Sequence, residues 1–265
     1  MVQDQREYQQ RYYDRHYETR AVVAREQLAH PLFRSFHDRM ASRILDRLEG
    51  PYGPDRPLRV FEPGCGEGFL GSAVCRVAAE RGWPVVYSGT DLSEAALELA
   101  RPALGDDLVV GDATEVTASL PSDSRDLVIV KNLLHHLDEP AGLLREASRV
   151  VGADGRVAIV EARLGGPQFW VFILTAPKRE RYFFKGARRN LQAVRAAGLE
   201  LVHRERFSWL PYELAFHIRF RVFRRLLGTD RARTIDRISR LDDGLARVFF
   251  PVANYVIWVA ARPEG

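Results

Sequence analysis

The chain has 265 residues, 46% of them hydrophobic, a formal net charge of +4 and two cysteines, Cys65 and Cys75. That length supports one α/β domain with additions, the apolar fraction fits a soluble globular protein, and two cysteines do not make a disulfide framework. The polar N-terminus and the lack of a long uncharged apolar run lead to the expectation of neither a secretion signal nor a membrane span, and with only two cysteines a reducing, cytoplasmic location is expected.

In chain order, Phe33, Phe36, Met40, Ile44, Leu45 and Leu48 recur at helical spacing before Gly50 and Pro51, which predicts a helix that ends there. Apolar runs near 58–62, 85–90, 107–111, 126–131 and 156–161 predict strands. Helices are predicted near 70–81, 93–101 and 140–150, the last started by Asp138 with Pro140 in its first turn and stopped by Gly152. Alternating β and α units make a mostly parallel sheet covered on both faces, with the strand C-termini on one rim. Two further strands are predicted at 199–207 and 255–261. The roughly 45 residues between them predict an insertion with helices near 211–227 and 229–248, over or beside a substrate mouth.

The first of these strands ends in Glu62 and runs straight into Pro63, Gly64, Cys65, Gly66, Glu67 and Gly68. Glycines let the backbone turn and approach a ligand closely, and an acid at the strand end accepts hydrogen bonds from a cationic or hydroxylated guest. Gly66, Gly68 and Gly71 also fit the dinucleotide spacing G-x-G-x-x-G, but that fingerprint should follow its strand directly. Here four residues, one of them a proline, intervene.

Glu62 to Gly68 resembles motif I of the class I S-adenosylmethionine-dependent methyltransferases. Three further segments agree with that resemblance: Gly89 to Ser93, Gly111 to Ala113, and Asp126 to Leu137. It implies a Rossmann-like, doubly wound seven-stranded sheet with the last strand antiparallel, and S-adenosylmethionine as cofactor. By the same resemblance Glu62 faces the methionine amine, Asp91 takes the ribose hydroxyls and Asp112 lies against the adenine amino group. Gly64, Cys65, Gly66, Gly68, Leu92, Ala113, Lys131 and Asn132 complete the expected cofactor contacts. Each acid also has a plain structural reading: Asp91 as a helix N-cap, Asp112 as a turn residue, Glu62 as an edge acid. Cys65 reads as a small turn filler, because no base is placed beside it.

Candidate general bases on the rim are His135, His136 and Glu161, with packing, capping or a contact of Glu161 to Arg163 as the alternatives. The loop Asn132, Leu133, Leu134, His135 lacks the Pro-Pro-aromatic continuation found in methyltransferases of base amino groups. It resembles that of the branch acting on quinones, sterols, sugars and secondary metabolites, so a small, lipophilic or aromatic acceptor is expected. No metal-ligand spacing stands out.

From His203 to Arg247 the chain has eleven arginines, no lysine and six acids, a net of +5 within a whole-chain +4. Residues 211–228 interleave arginines with aromatic and aliphatic residues. A core helix with snorkelling arginines is one reading, contact with an anionic membrane surface a second, and nucleic acid a third that the modest charge excess disfavours. The N-terminal Tyr8, Tyr12, Tyr13, His16 and Tyr17 form either a packing stripe or a cover for the site. The expected organisation is a helical cap at 1–50, a core at 51–207 and 253–265, and the insertion at 208–252. A membrane-surface quinone or lipid methyltransferase, a nicotinamide oxidoreductase and a catalytically silent cofactor-fold protein are the alternatives. The oligomeric state is left open.

Overall fold

The computed structural model describes residues 11, 14–15, 21–22, 24–163, 166, 186–210, 232–248 and 253–263. The predicted helix near 211–227, and Tyr8, Tyr12, Tyr13, His16 and Tyr17, lie outside the described residues. A helical stretch at 24–29 leads into α1 (Pro31–Leu45). Pro31 opens α1 where a missing N–H leaves no bond unmade, and His30 Nδ1 accepts from the Leu32 N–H at 3.2 Å.

The body then alternates: β1 (Leu58–Pro63), α2 (Phe69–Glu80), β2 (Val85–Asp91), α3 (Glu94–Leu104), β3 (Leu108–Val110), α4 (Ala113–Ser119), β4 (Arg125–Lys131), α5 (Pro140–Val150), β5 (Val151–Ala162), α6 (Gly186–Ala196), β6 (Glu200–Phe207), α7 (Ala232–Val248) and β7 (Tyr255–Ala261). The seven strands lie in the order β3-β2-β1-β4-β5-β7-β6. The first five pair in parallel, and β7 runs antiparallel to both β5 and β6, wedged between them.

Burial on both faces explains the continuous apolar strands. In β4, Leu127 and Ile129 join the core beneath α1 and α2, while Val128 and Val130 join the core beneath α5 and α6. Parallel strands joined by helical crossovers bring the tips of β1 to β4 to one rim.

Three details differ from the sequence reading. Glu139, not Asp138, is the N-cap of α5, and it makes no side-chain cap bond. The same helix passes into β5 at Val151, so Gly152 lies inside the strand and does not stop the helix. The short helix α4 and the helix α6 were not predicted; seven residues are too few for a periodic signal, and the only local mark of α4 is its capping Asp112.

The described part of the insertion is fastened to α1. Fully buried Asp242 of α7 takes the Arg39 guanidinium at 2.9 Å on one oxygen. Its other oxygen accepts the Trp209 and Leu210 N–H groups at 2.8 and 2.7 Å. Asp243 binds Arg39 and Arg43 at 2.6 and 2.8 Å, and Arg43 also pairs with Glu205. No residue of α7 lines the rim cavity described below. It stands beside α1, to which these pairs hold it.

Candidate functional site

The turn after β1 takes left-handed backbone at Gly64, Gly66 and Gly68, with φ of 68, 53 and 73°, a conformation in which a Cβ is disfavoured. Gly71 works differently. A Cβ there would meet the Tyr87 hydroxyl at 2.5 Å, so the glycine makes room for Tyr87 of the neighbouring strand. That hydroxyl donates to Glu62 Oε2 at 2.7 Å, and the Gly71 N–H also reaches the carboxylate. In the dinucleotide frame the third glycine would serve helix packing near a phosphate; here it admits the partner of an acid. Burial pushes the Glu62 carboxyl up to about 7, against the opposing pull of Tyr87 and the Lys131 charge. Cys65 is buried in the same turn, and burial raises its thiol, so it is no nucleophile.

Asp91 closes β2. Its Oδ2 accepts the Gly66 N–H at 2.9 Å and its Oδ1 the Ser93 N–H at 3.0 Å, which ties the glycine turn to the second strand tip. The N-cap of α3 is Ser93, whose Oγ accepts from Ala96, so Asp91 is not the cap residue. Burial raises the Asp91 carboxyl and the N–H bonds from Ser93 and Gly66 hold it down. Asp112 caps α4, accepting the Thr114 and Glu115 N–H groups on Oδ1 at 2.9 and 3.1 Å. Two lone pairs per oxygen leave such carboxylates with acceptor capacity toward a ligand.

The exit of β4 separates the three candidate bases. Asn132 adopts φ 51°, and its Oδ1 accepts the Ala162 N–H at 3.2 Å, which turns the chain away from the sheet. The next turn is a short 3-10 helix at Leu134–His136. Glu161 Oε1 accepts the Leu134 N–H at 2.8 Å, and Oε2 lies 2.7 Å from His135 Nδ1. Both residues are buried and neither lines the cavity. Glu161 therefore anchors the loop and His135 stands behind it. His136 does line the cavity, its ring 4.1 Å from that of His135. Burial, and then His135, lower the His136 pKa well below its ordinary value, so its imidazole is neutral near pH 7. Glu161→Ala leaves the Leu134 N–H and His135 without their buried acceptor. Denaturant unfolding should show a loss of about 2 kcal/mol, and an unchanged midpoint would contradict the anchoring role.

These residues surround one cavity of about 320 Å³. From the tips of β1, β2 and β3 and the turns after them come Glu62, Gly64, Cys65, Gly66, Asp91, Leu92, Asp112 and Ala113. Lys131, Asn132, Leu133, His136 and Leu137 come from the exit of β4, and Gln27, Phe33 and Phe69 from the helical side. Gly68 is the N-cap of α2 and does not line the cavity. Sequence reading missed Tyr87, Gln27, Phe33 and Phe69. A lone tyrosine in the buried run before Asp91 was a usable signal, because a buried hydroxyl needs a partner. Three strand-tip acids with a close-approach glycine turn fit a ligand rich in hydroxyl and amine donors, such as an amino-acid nucleoside. They fit a polyphosphate poorly. Among the described residues no cluster of His, Cys, Asp and Glu forms a metal site, and no helix is long and apolar enough to cross a membrane.

Comparison with known proteins agrees with this geometry. Residues 61–159 match the family described as a methyltransferase domain. A ubiquinone biosynthesis O-methyltransferase of Pseudomonas aeruginosa is 30% identical over 131 residues, 47% of this chain and 52% of that protein. The chain spans about half the length of the curated relatives it matches. Among solved structures, geranyl diphosphate C-methyltransferase from Streptomyces coelicolor aligns with a TM-score of 0.54 at 19% identity, over 85% of this chain and 79% of that one. The [4+2]-cyclase SpnF aligns with a TM-score of 0.56 at 20% identity, over 86% and 81%. These likenesses establish the Rossmann-like methyltransferase fold.

Proposed function

We propose that this chain, whose residues 61–159 match a methyltransferase-domain family, is a class I S-adenosylmethionine-dependent methyltransferase that transfers a methyl group to an oxygen or carbon of a small lipophilic or aromatic metabolite. One observation carries the reading: a single cavity is lined both by three strand-tip acids, Glu62, Asp91 and Asp112, and by the apolar side chains Phe33, Phe69, Leu133 and Leu137. The acids suit a nucleoside bearing an amino acid, and the apolar side chains suit an organic acceptor. The relative named for ubiquinone biosynthesis supports a ring-bearing, lipophilic acceptor.

When bound, S-adenosylmethionine supplies a methyl group already activated on a sulfonium. Glu62 would hold the methionine amine, Asp91 the ribose hydroxyls, and Asp112 with Ala113 the adenine edge. Gly64, Cys65, Gly66 and Gly68 shape the backbone beneath it, Leu92 packs beside it, and Lys131 and Asn132 stand where cofactor and acceptor meet. The work left to the protein is alignment and exclusion of water. His136, neutral and facing the cavity, is the group placed to take a hydroxyl proton. Glu161 and His135 position its loop. His136→Ala should lower turnover more than affinity for S-adenosylhomocysteine; equal turnover would leave alignment as the whole mechanism.

In this reading 1–50 is a helical cap, 51–207 and 253–265 are the core, and the 208–252 insertion is a lid, substrate or membrane-facing element whose described helix α7 is held against α1. The arginine- and aromatic-rich 211–228 segment supports a second reading, contact with an anionic membrane that delivers a lipophilic acceptor; salt-sensitive binding to anionic vesicles tests it. The function itself is tested by incubating the chain with methyl-labelled S-adenosylmethionine and a panel of phenols, quinols and isoprenoids. Label in an acceptor is the expected result. Heat on titration with NADH and none with S-adenosylhomocysteine would replace the reading with a nicotinamide oxidoreductase.

A further inference from the structure

The helix α7 separates its charges between two faces. It carries three acids, Asp236, Asp242 and Asp243, and four arginines, Arg233, Arg237, Arg240 and Arg247. The fold uses two of the acids inward: Asp242 takes Arg39 and the backbone after β6, and Asp243 takes Arg39 and Arg43. Buried Ser239, Asp242 and Ala246 mark that inward side. All four arginines are exposed, with Asp236, Leu241 and Val248 among them. At 3.6 residues per turn these exposed positions fall within an arc of about 140°, opposite the buried ones.

Four arginines against one acid give the outward face a net charge of +3. Arg240 pairs with Asp236 one turn away, and among the described residues no carboxylate pairs with Arg233, Arg237 or Arg247. Leu241 and Val248 are 57 and 75% exposed, and they stand two turns apart along one edge of the basic stripe. Such a stripe with an aliphatic margin matches an anionic lipid surface: guanidiniums stay among the phosphates while short aliphatic side chains enter the acyl boundary. Nucleic acid would meet the arginines and leave the two aliphatic side chains without a seat. A second copy of the chain would bring the same positive charge to the same face.

We propose that the outward face of α7 docks the chain on an anionic lipid surface, with the four arginines at the headgroups and Leu241 and Val248 at the acyl boundary. The proposal deepens the membrane reading given above by assigning the contact to α7. Because the opposite side of α7 is fastened to α1, which supplies Phe33 to the cavity, only the thickness of one helix, about 10 Å, separates α1 from the lipid.

Co-sedimentation of the whole chain with phosphatidylcholine vesicles, with and without phosphatidylglycerol, tests the assignment. The wild type binds the vesicles that contain phosphatidylglycerol, and added salt weakens that binding. Arg233→Gln, Arg237→Gln and Arg247→Gln combined lower the affinity about a hundredfold. Leu241→Ser lowers it by a smaller factor. Asp236→Asn removes the acid from the face and raises the affinity about fivefold, a gain that a misfolded chain cannot produce. Unchanged affinity in the triple variant and in Asp236→Asn overturns the assignment to α7, even if the 211–228 segment binds vesicles by itself. Equal binding to both vesicle types, binding to neither, or tighter binding to double-stranded DNA than to anionic vesicles in the same buffer overturns a lipid surface as the partner. No residue of α7 lines the cavity, so S-adenosylhomocysteine binds these variants as it binds the wild type. Failure of docking is thereby distinct from failure of the methyltransferase reading, which a wild-type chain that binds no S-adenosylhomocysteine would show.

Discussion

Asp91→Ala weakens binding of S-adenosylhomocysteine by about 2 to 3 kcal/mol, a loss of roughly 30- to 150-fold. Two effects combine. The carboxylate accepts the Gly66 and Ser93 N–H groups at 2.9 and 3.0 Å, so it fixes the glycine turn against β2. In the proposed pose it also accepts the ribose hydroxyls. Calorimetry with an analogue lacking those hydroxyls separates the two: the wild type discriminates against it, and Asp91→Ala binds both nucleosides alike. Discrimination that survives in the variant would assign Asp91 to anchoring the turn alone.

Glu62 makes the chain's stability and its cofactor affinity respond to pH in opposite directions. Its carboxyl titrates near 4.5 in an unfolded chain and at about 7 in the fold, because burial penalises the charge. Between those values the folded chain holds the extra proton. The group's contribution to stability is therefore complete below about 4.5 and is lost as pH rises through about 7, with a total loss of about 3 kcal/mol. A ligand ammonium at Glu62 requires the ionised carboxylate, so binding releases a proton and affinity for S-adenosylhomocysteine rises through the same range. Denaturant unfolding of the chain alone at about pH 5 and about pH 8, compared with Glu62→Gln, reads the first effect. Calorimetry in buffers of different ionisation enthalpy reads the second. Parallel pH profiles for wild type and Glu62→Gln would show that Glu62 carries neither.

The strand tips were legible in the sequence because each combines an apolar run with one polar residue and a turn signal. Glu62 before Gly64 and Gly66, Asp91 before Ser93, and Asp112 after the apolar run Leu108 to Val110 and Gly111 are all local patterns. The exit loop of β4 was legible as a place but not as an arrangement. His135 and His136 are adjacent in the chain, and only the 3-10 turn decides which ring faces the cavity and which meets Glu161. The reach of Glu161 from β5 to the Leu134 N–H is a long-range contact with no sequence signature.

Charge along the insertion was legible only as a sum. The fold uses part of it internally: Asp242 and Asp243 of α7 neutralise Arg39 and Arg43 of α1, and Asp242 also satisfies the backbone after β6. Gln27 was invisible because a single amide in a short helical stretch acquires meaning only when that stretch closes over a cavity. The fold likeness to both a geranyl diphosphate C-methyltransferase and a [4+2]-cyclase shows why the architecture alone does not fix the reaction. In this chain the chemistry rests on the acids, the glycine turn and the cavity they share.

The most direct test of that argument is a crystal structure of the chain with S-adenosylhomocysteine. The account predicts the nucleoside in the rim cavity, its amine at Glu62, its ribose at Asp91 and its adenine beside Asp112. Density for the nucleoside elsewhere, or in the cavity with those three carboxylates turned away from it, would contradict the account.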